Sequence, residues 1–121
     1  MRVSIKAVAA VLALAAPALA GDSDAIMANV IGNTIVVVNA NGLESHTHYR
    51  ADHSFDGVVP AMNYRYKGTW QISPEGQLCS TFDPPPPGME NPRCSPMTPL
   101  QIGDVWTTKD GGKGQLVQGI N

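Results

Sequence analysis

The chain has 121 residues, with eight basic and ten acidic side chains for a formal charge of −2. That length sets one domain. The mildly acidic balance, with no basic cluster, argues against a nucleic-acid partner and against a polybasic contact with anionic lipid.

The first twenty residues read as a leader rather than as part of the fold. Arg2 and Lys6 make a short basic start, Ala7 to Ala16 is an unbroken apolar run, and Pro17 breaks it before the A-x-A site Ala18-Leu19-Ala20. The run falls well short of the roughly 20 apolar residues that a spanning helix needs, and no second hydrophobic segment follows. Gly21 and Asp22 come next, so no cysteine is placed for a lipid anchor. The expectation is a signal peptide over 1–20 and a single exported domain over 21–121, periplasmic or secreted, with no membrane span.

A domain of about 100 residues buries a modest share of its surface and often needs a staple. The only two cysteines, Cys79 and Cys94, lie 15 positions apart. In an oxidising compartment that pair reads as one disulfide. It would close a loop between two tryptophan-bearing segments and fix them relative to each other. A two-cysteine metal site is the weaker alternative, because no second close-spaced ligand pair exists.

Along the chain, Asp22 or Ser23 caps a short helix expected over Asp24 to Ile31. Ile26, Val30 and Ile31 share one face of it, and Gly32 stops it. Thr34 to Val38 is a β-branched run, and Asn41-Gly42 is a strong hairpin signal leading to a return strand over Leu43 to Arg50. Phe55 to Val59 pairs back, ending at Pro60. Tyr64 to Ile72 alternates, with Tyr64, Tyr66, Gly68, Trp70 and Ile72 on one face. Gly68 leaves room there for something bulky to cross. Gln77 to Phe82 returns, with Leu78, Ser80 and Phe82 set opposite Cys79 and Thr81. A proline-packed stretch follows, and then Val105 to Thr108 and Gly114 to Gln118 close the chain. About seven short strands with short connections predict an all-β fold. The simplest topology is an antiparallel meander curled towards a barrel, with the helix lying on it.

Three features invite a functional reading. His46 and His48 fall on one face of a strand with Glu44 and Arg50, and His53 lies in the next turn. Such a trio suits Zn²⁺ or Cu²⁺, although a polar, solvent-facing strand explains it as simply. Four consecutive prolines, Pro84, Pro85, Pro86 and Pro87, favour an extended polyproline segment. That segment could dock into an aromatic groove of a protein partner, or simply stiffen a surface loop. The aromatics Tyr64, Tyr66, Trp70, Phe82 and Trp106, with Tyr49 and Phe55, read as core. A barrel so lined could still hold a small apolar ligand. Asp52, Asp56 and Asp104 read as turn residues rather than as catalytic acids. No nucleophile elbow, phosphate loop or H-E-x-x-H motif appears, and no cofactor is implied. An enzyme is not expected.

The succession Gly32-Asn33-Thr34, Asn41-Gly42, Tyr49-x-x-Asp52, Gly68-Thr69-Trp70, Leu78-Cys79, Cys94 and Gly103-Asp104-x-Trp106 resembles a group of small exported bacterial proteins to which no activity is attached. The resemblance implies a periplasmic or secreted β module of lipocalin-like or calycin-type half-barrel form. One departure stands out: the pattern has Asp-Gly where this chain has Asp52-His53, which removes the residue best suited to positive φ. The functional expectation is a non-enzymatic binding or structural module of the cell envelope. The alternatives are an inhibitor-type module presenting the proline loop to a hydrolase and a metal-binding module built on the histidines.

Overall fold

A computed structural model describes residues 25–121, which form one antiparallel sheet curled into a half-barrel. The leader and the capping residues Asp22, Ser23 and Asp24 lie outside the described residues. Eight strands make the sheet: β1 (Thr34–Val38), β2 (Glu44–Tyr49), β3 (Ser54–Val59), β4 (Tyr64–Ile72), β5 (Gln77–Phe82), β6 (Arg93–Pro96), β7 (Val105–Thr107) and β8 (Lys113–Val117). Their order is β6-β5-β4-β3-β2-β1-β8-β7. The first six therefore form the expected meander, and the β7–β8 hairpin adds on the far side of β1.

The structure refines two expectations. Seven strands become eight, because Arg93–Pro96 pairs with β5 inside the proline-rich stretch. As an edge strand it tolerates Pro96, whose missing N–H costs no ladder bond on the solvent side. Among the described residues the N-terminal helix covers 25–27 and is continued by turns up to Gly32 instead of running on to Ile31. Val30 and Ile31 both donate to the carbonyl of Met27, and Asn33 donates to that of Val30. Gly32, at φ +88°, ends it as expected.

This turn and the connector between β6 and β7 complete the core. Ile26, Met27 and Val30 are buried with Ile35, Phe55, Trp70, Leu78 and Leu116, and Met97 and Leu100 pack against them. Asn29 Nδ2 donates to the carbonyl of Leu100 at 2.8 Å, tying the turn to the connector. At the other end, Lys109 Nζ reaches the carbonyl of Cys94 at 3.2 Å, from the β7–β8 turn to β6. One side chain, rather than a ladder, thus spans from the β7–β8 turn to the β6 edge.

Inside, ring covers glycine three times over. Tyr66 lies opposite Gly57, Phe55 opposite Gly68, and Trp106 opposite Gly114. In each pair, a Cβ built on the glycine would meet the opposing ring. An aromatic side chain laid across a strand glycine restores the packing that the glycine lacks. Gly68 is the most demanding of the three. A Cβ there would stand 2.9 Å from the Phe55 ring and would collide with the backbone carbonyl of Thr81. At Gly57 the obstacle is the far end of the Tyr66 side chain rather than backbone. Gly68→Ala is therefore expected to cost about 2–3 kcal/mol, the upper range for overpacking, and Gly57→Ala about half of that. Equilibrium urea unfolding of the two variants checks the ranking; equal or negligible losses would remove the ring-over-glycine account.

Candidate functional site

The strand period places His46 and His48 together on the outer face of β2, as expected. Ser45, Thr47 and Tyr49 point inward, and Tyr49 faces Phe55 across the ladder. Neither histidine is open to solvent: their side chains are 19% and 14% exposed. What covers them is residues 118–121, folded back over the sheet. His48 Nδ1 lies 3.0 Å from Asp56 Oδ1 and its Nε2 lies 2.9 Å from the main-chain oxygen of Asn121. His46 Nε2 lies 2.5 Å from Glu44 Oε2 and its Nδ1 lies 3.3 Å from the same Asn121 oxygen. Asp56 also takes a bond from Arg50 Nη2. Burial works to raise the Asp56 carboxyl, but the bonds and charges of Arg50 and His48 outweigh it, so the group sits below the usual carboxylate range.

His53 does not join this pair. It sits in the β2–β3 turn at φ +72°, with its ring stacked on Trp70 at 4.1 Å and its Nδ1 2.9 Å from the Trp70 carbonyl. The left-handed backbone that a glycine would take there is thus held by a histidine, with the stack and the ring contact offsetting the strain. Trp70 in turn donates Nε1–H to the carbonyl of Arg50 at 2.9 Å. Among the described residues, no three His, Cys, Asp or Glu side chains gather into a group that could hold a metal ion.

The disulfide is formed, with Cys79 and Cys94 directly opposite on β5 and β6 and their Cα atoms 4.0 Å apart. It closes a hairpin and leaves β7, with Trp106, at the opposite edge of the sheet. The two tryptophan segments are tied through the core instead. From the bridge the chain rises into the loop 83–92. Pro86 to Met89 makes a tight turn, closed by Met89 N–H to the Pro86 carbonyl at 3.3 Å, with Gly88 at φ +72°. Pro at the second position and glycine at the third suit a type II turn. The tetraproline is therefore bent at its end rather than extended throughout. Asn91 then acts as a false strand: its Oδ1 accepts Phe82 N–H at 2.8 Å and its Nδ2 donates to the Phe82 carbonyl at 3.2 Å. A single amide satisfies both backbone groups at the end of β5.

Pro85 forms one lip of a surface cleft, an open groove of about 700 Å³ over β3, β4 and β5. Asp56 and Lys67 face each other in register on one side, and Ser54, Thr69 and Thr81 form a row of hydroxyls across the three strands. Lys67 Nζ stands 4.0 Å from Asp83 Oδ2, and both side chains are largely exposed. The groove offers both charges and hydroxyls.

The interior is filled by the chain's own side chains. Phe55 packs against Tyr49, Tyr66 and Phe82 at ring separations of 5.6, 6.5 and 5.1 Å. Burial pushes the Tyr49 phenol up to about 12, with the Ser80 hydroxyl bond working the other way. Burial likewise raises Tyr66, whose hydroxyl meets Thr47 Oγ1 at 2.6 Å. Trp70, Tyr66, Phe82 and Trp106 belong to this core or pack on it, as expected. Tyr64 does not: it opens β4 at the rim, beyond the reach of the core, and is exposed with only Tyr66 beside it at 6.2 Å.

The other carboxylates serve their own turns. Asp52 Oδ1 accepts from the Ser54 N–H and hydroxyl, and the Ser54 bonds hold its carboxyl below the usual range. Asp110 Oδ1 accepts from Thr108 Oγ1 and Gly112 N–H, with the same effect. Asp104 Oδ2 accepts from Gln101 N–H. The short motifs are structural as well. Asn33 and Thr34 hold the 118–121 segment, Gly68-Thr69-Trp70 supplies a covered glycine and a core ring, and the Gly103 N–H and Asp104 carbonyl pair with Leu116.

Asn91 is a residue that sequence reasoning passed over, and Asn33 and Thr34 were named there only as part of a motif without a role. An asparagine directly before a proline was the one available hint at Asn91. Among the described residues no helix is long and apolar enough to cross a membrane. No protein-family model matches the chain, and neither the curated proteins nor the solved structures gave a significant match.

Proposed function

We propose that this chain is a non-enzymatic, exported β module of the cell envelope that binds a protein partner through the loop 83–92. The observation that carries this reading is the way the loop is held. It has no ladder of its own, yet the Cys79–Cys94 bridge, the Asn91 clip and the Pro86–Met89 turn fix it from three sides. Prolines and a fixed base remove most of the ordering entropy that a recognition loop otherwise loses on binding. The loop also stands beside the groove over β3, β4 and β5, so a partner gripping Pro85 would reach Lys67, Thr69 and Thr81 as well. The carboxylates support binding over catalysis, since Asp52, Asp104 and Asp110 are spent on backbone and hydroxyl donors. The disulfide and the leader support an oxidising compartment outside the cytoplasm.

The test uses the protein recovered from the envelope of its own host, beside a variant whose Pro84–Pro87 run is replaced by Gly-Ser-Gly-Ser. The recovered chain should begin at Gly21; a full-length cytoplasmic chain overturns export. A partner co-purifying with the native chain should be retained roughly tenfold less by the variant, because the loop is no longer pre-ordered. Equal retention by both overturns the loop reading.

A further inference from the structure

The β1–β2 hairpin opens at one end. Its register stops at Ile35 opposite Thr47, although β2 runs on to Tyr49. Gly32, at φ +88°, and the bond from Asn33 N–H to the Val30 carbonyl turn the incoming chain aside before it reaches Tyr49. A cleft of about 310 Å³ lies where the two chains part, with Ile31 and Gly32, the end of β2 and Ile120 around it. Ile120 is 64% exposed there. Largely apolar walls with a few polar groups, at the small end of the usual volume range, are what a binding site offers.

The ladder fixes which way the Tyr49 main chain faces. Along an antiparallel strand, the N–H and C=O of successive residues turn to alternate sides. Arg50 N–H donates to the Ser54 carbonyl, so residue 50 faces β3. The Leu43 carbonyl accepts Asn39 N–H, so residue 43 faces the β1 side. Counting from either end, Tyr49 turns its N–H and C=O to the β1 side, towards the cleft. Among the described residues neither group has a hydrogen-bonded partner, because the chain that should supply one has left at Gly32. Arg50, which also lines the cleft, is already paired with Asp56, so the site does not select an ion.

We propose that this cleft receives an extended peptide segment with an apolar residue at its centre, which takes the position opposite Tyr49 that β1 gives up. One residue of an extended chain presents an N–H and a C=O on the same side, and so answers both Tyr49 groups at once. A helix spends these groups on itself, and a hydrocarbon ligand would cover them without a partner, which costs free energy. The apolar side chain supplies the rest of the binding by covering Ile31 and Ile120. The site lies between β1 and β2, whereas the loop 83–92 joins β5 and β6, so it stands whether or not that loop engages a partner.

The test titrates the ¹⁵N-labelled protein with the uncharged peptide acetyl-Thr-Ile-Thr-amide and follows the Tyr49 amide. Its signal should shift saturably, and at saturation its hydrogen exchange should slow by about five- to tenfold, the gain of one hydrogen bond. The Leu116 amide, in the core, should not change. The same peptide methylated on the isoleucine nitrogen cannot donate to the Tyr49 carbonyl and should bind about fivefold more weakly. Ile120→Asp, at an exposed position that leaves the core intact, should weaken binding by about tenfold through lost apolar contact. No saturable change at Tyr49, equal binding of the methylated peptide, or wild-type affinity in Ile120→Asp would each overturn the proposal. A Tyr49 signal that moves with protein concentration alone would assign the cleft to a second copy of the chain and overturn it too.

Discussion

Phe55→Ala is expected to lower stability by about 3–5 kcal/mol, the range for removing a buried ring that its surroundings cannot replace. Phe55 is 2% exposed and touches the Tyr49, Tyr66 and Phe82 rings. It also covers Gly68, so its loss opens a cavity and strips a glycine of its cross-strand partner at once. Neighbours collapse poorly here, because each of those rings is fixed by its own strand position. Against a total stability of about 5–15 kcal/mol for a domain of this kind, such a loss leaves a measurable unfolded population. Tyr64→Ala, at the exposed rim, should change stability by no more than about 0.5 kcal/mol. Urea unfolding of both variants decides it. A Phe55→Ala loss under about 1.5 kcal/mol would mean that the core is centred elsewhere.

The second large effect belongs to the bridge. Replacing Cys79 and Cys94 together by serine should cost about 3 kcal/mol, from the entropy of a loop closed across 15 positions. For a chain this short that corresponds to a drop in melting temperature of about 12–24 °C. The bridge joins an edge strand of four residues whose outer side has no partner strand, so β6 has little else to keep it in register. Reduced wild-type protein should melt with the double variant. If both melt with the oxidised wild type, the β5–β6 ladder is sufficient alone.

Most of the sheet was legible because its strands are half-buried and alternate. The burial pattern of β4 follows the expected faces from Tyr66 to Ile72, and β5 buries Leu78 and Ser80 as its sequence suggests. Gly68 read correctly as the place where a bulky group crosses, and the group is Phe55. What stayed hidden was set by partners far away in the chain. Arg93–Pro96 has the composition of a loop and becomes a strand only because Cys94 is held opposite Cys79. The N-terminal segment has enough apolar residues for a helix, yet one turn suffices to place Ile26, Met27 and Val30 in the core. Alternation put His46 and His48 on one face, but no local signal says that Asn121 returns to meet them. His53 lies just beyond in sequence, and a left-handed turn sends it to Trp70 instead.

The seam between β1 and β8 sets the order in which this molecule can assemble. Hairpins from β1 to β6 join neighbours in the chain and close cheaply, whereas Thr34 and Gly119 lie 85 positions apart. Pairings at that separation come late, because the loop entropy must be met before they form. Leu116, wholly buried, enters the core only with that last hairpin. A chain emerging from the ribosome therefore cannot complete its core until β8 has been made. Under the proposed export, in which the polypeptide crosses a membrane as an extended thread, that delay keeps it threadable until β8 has been made.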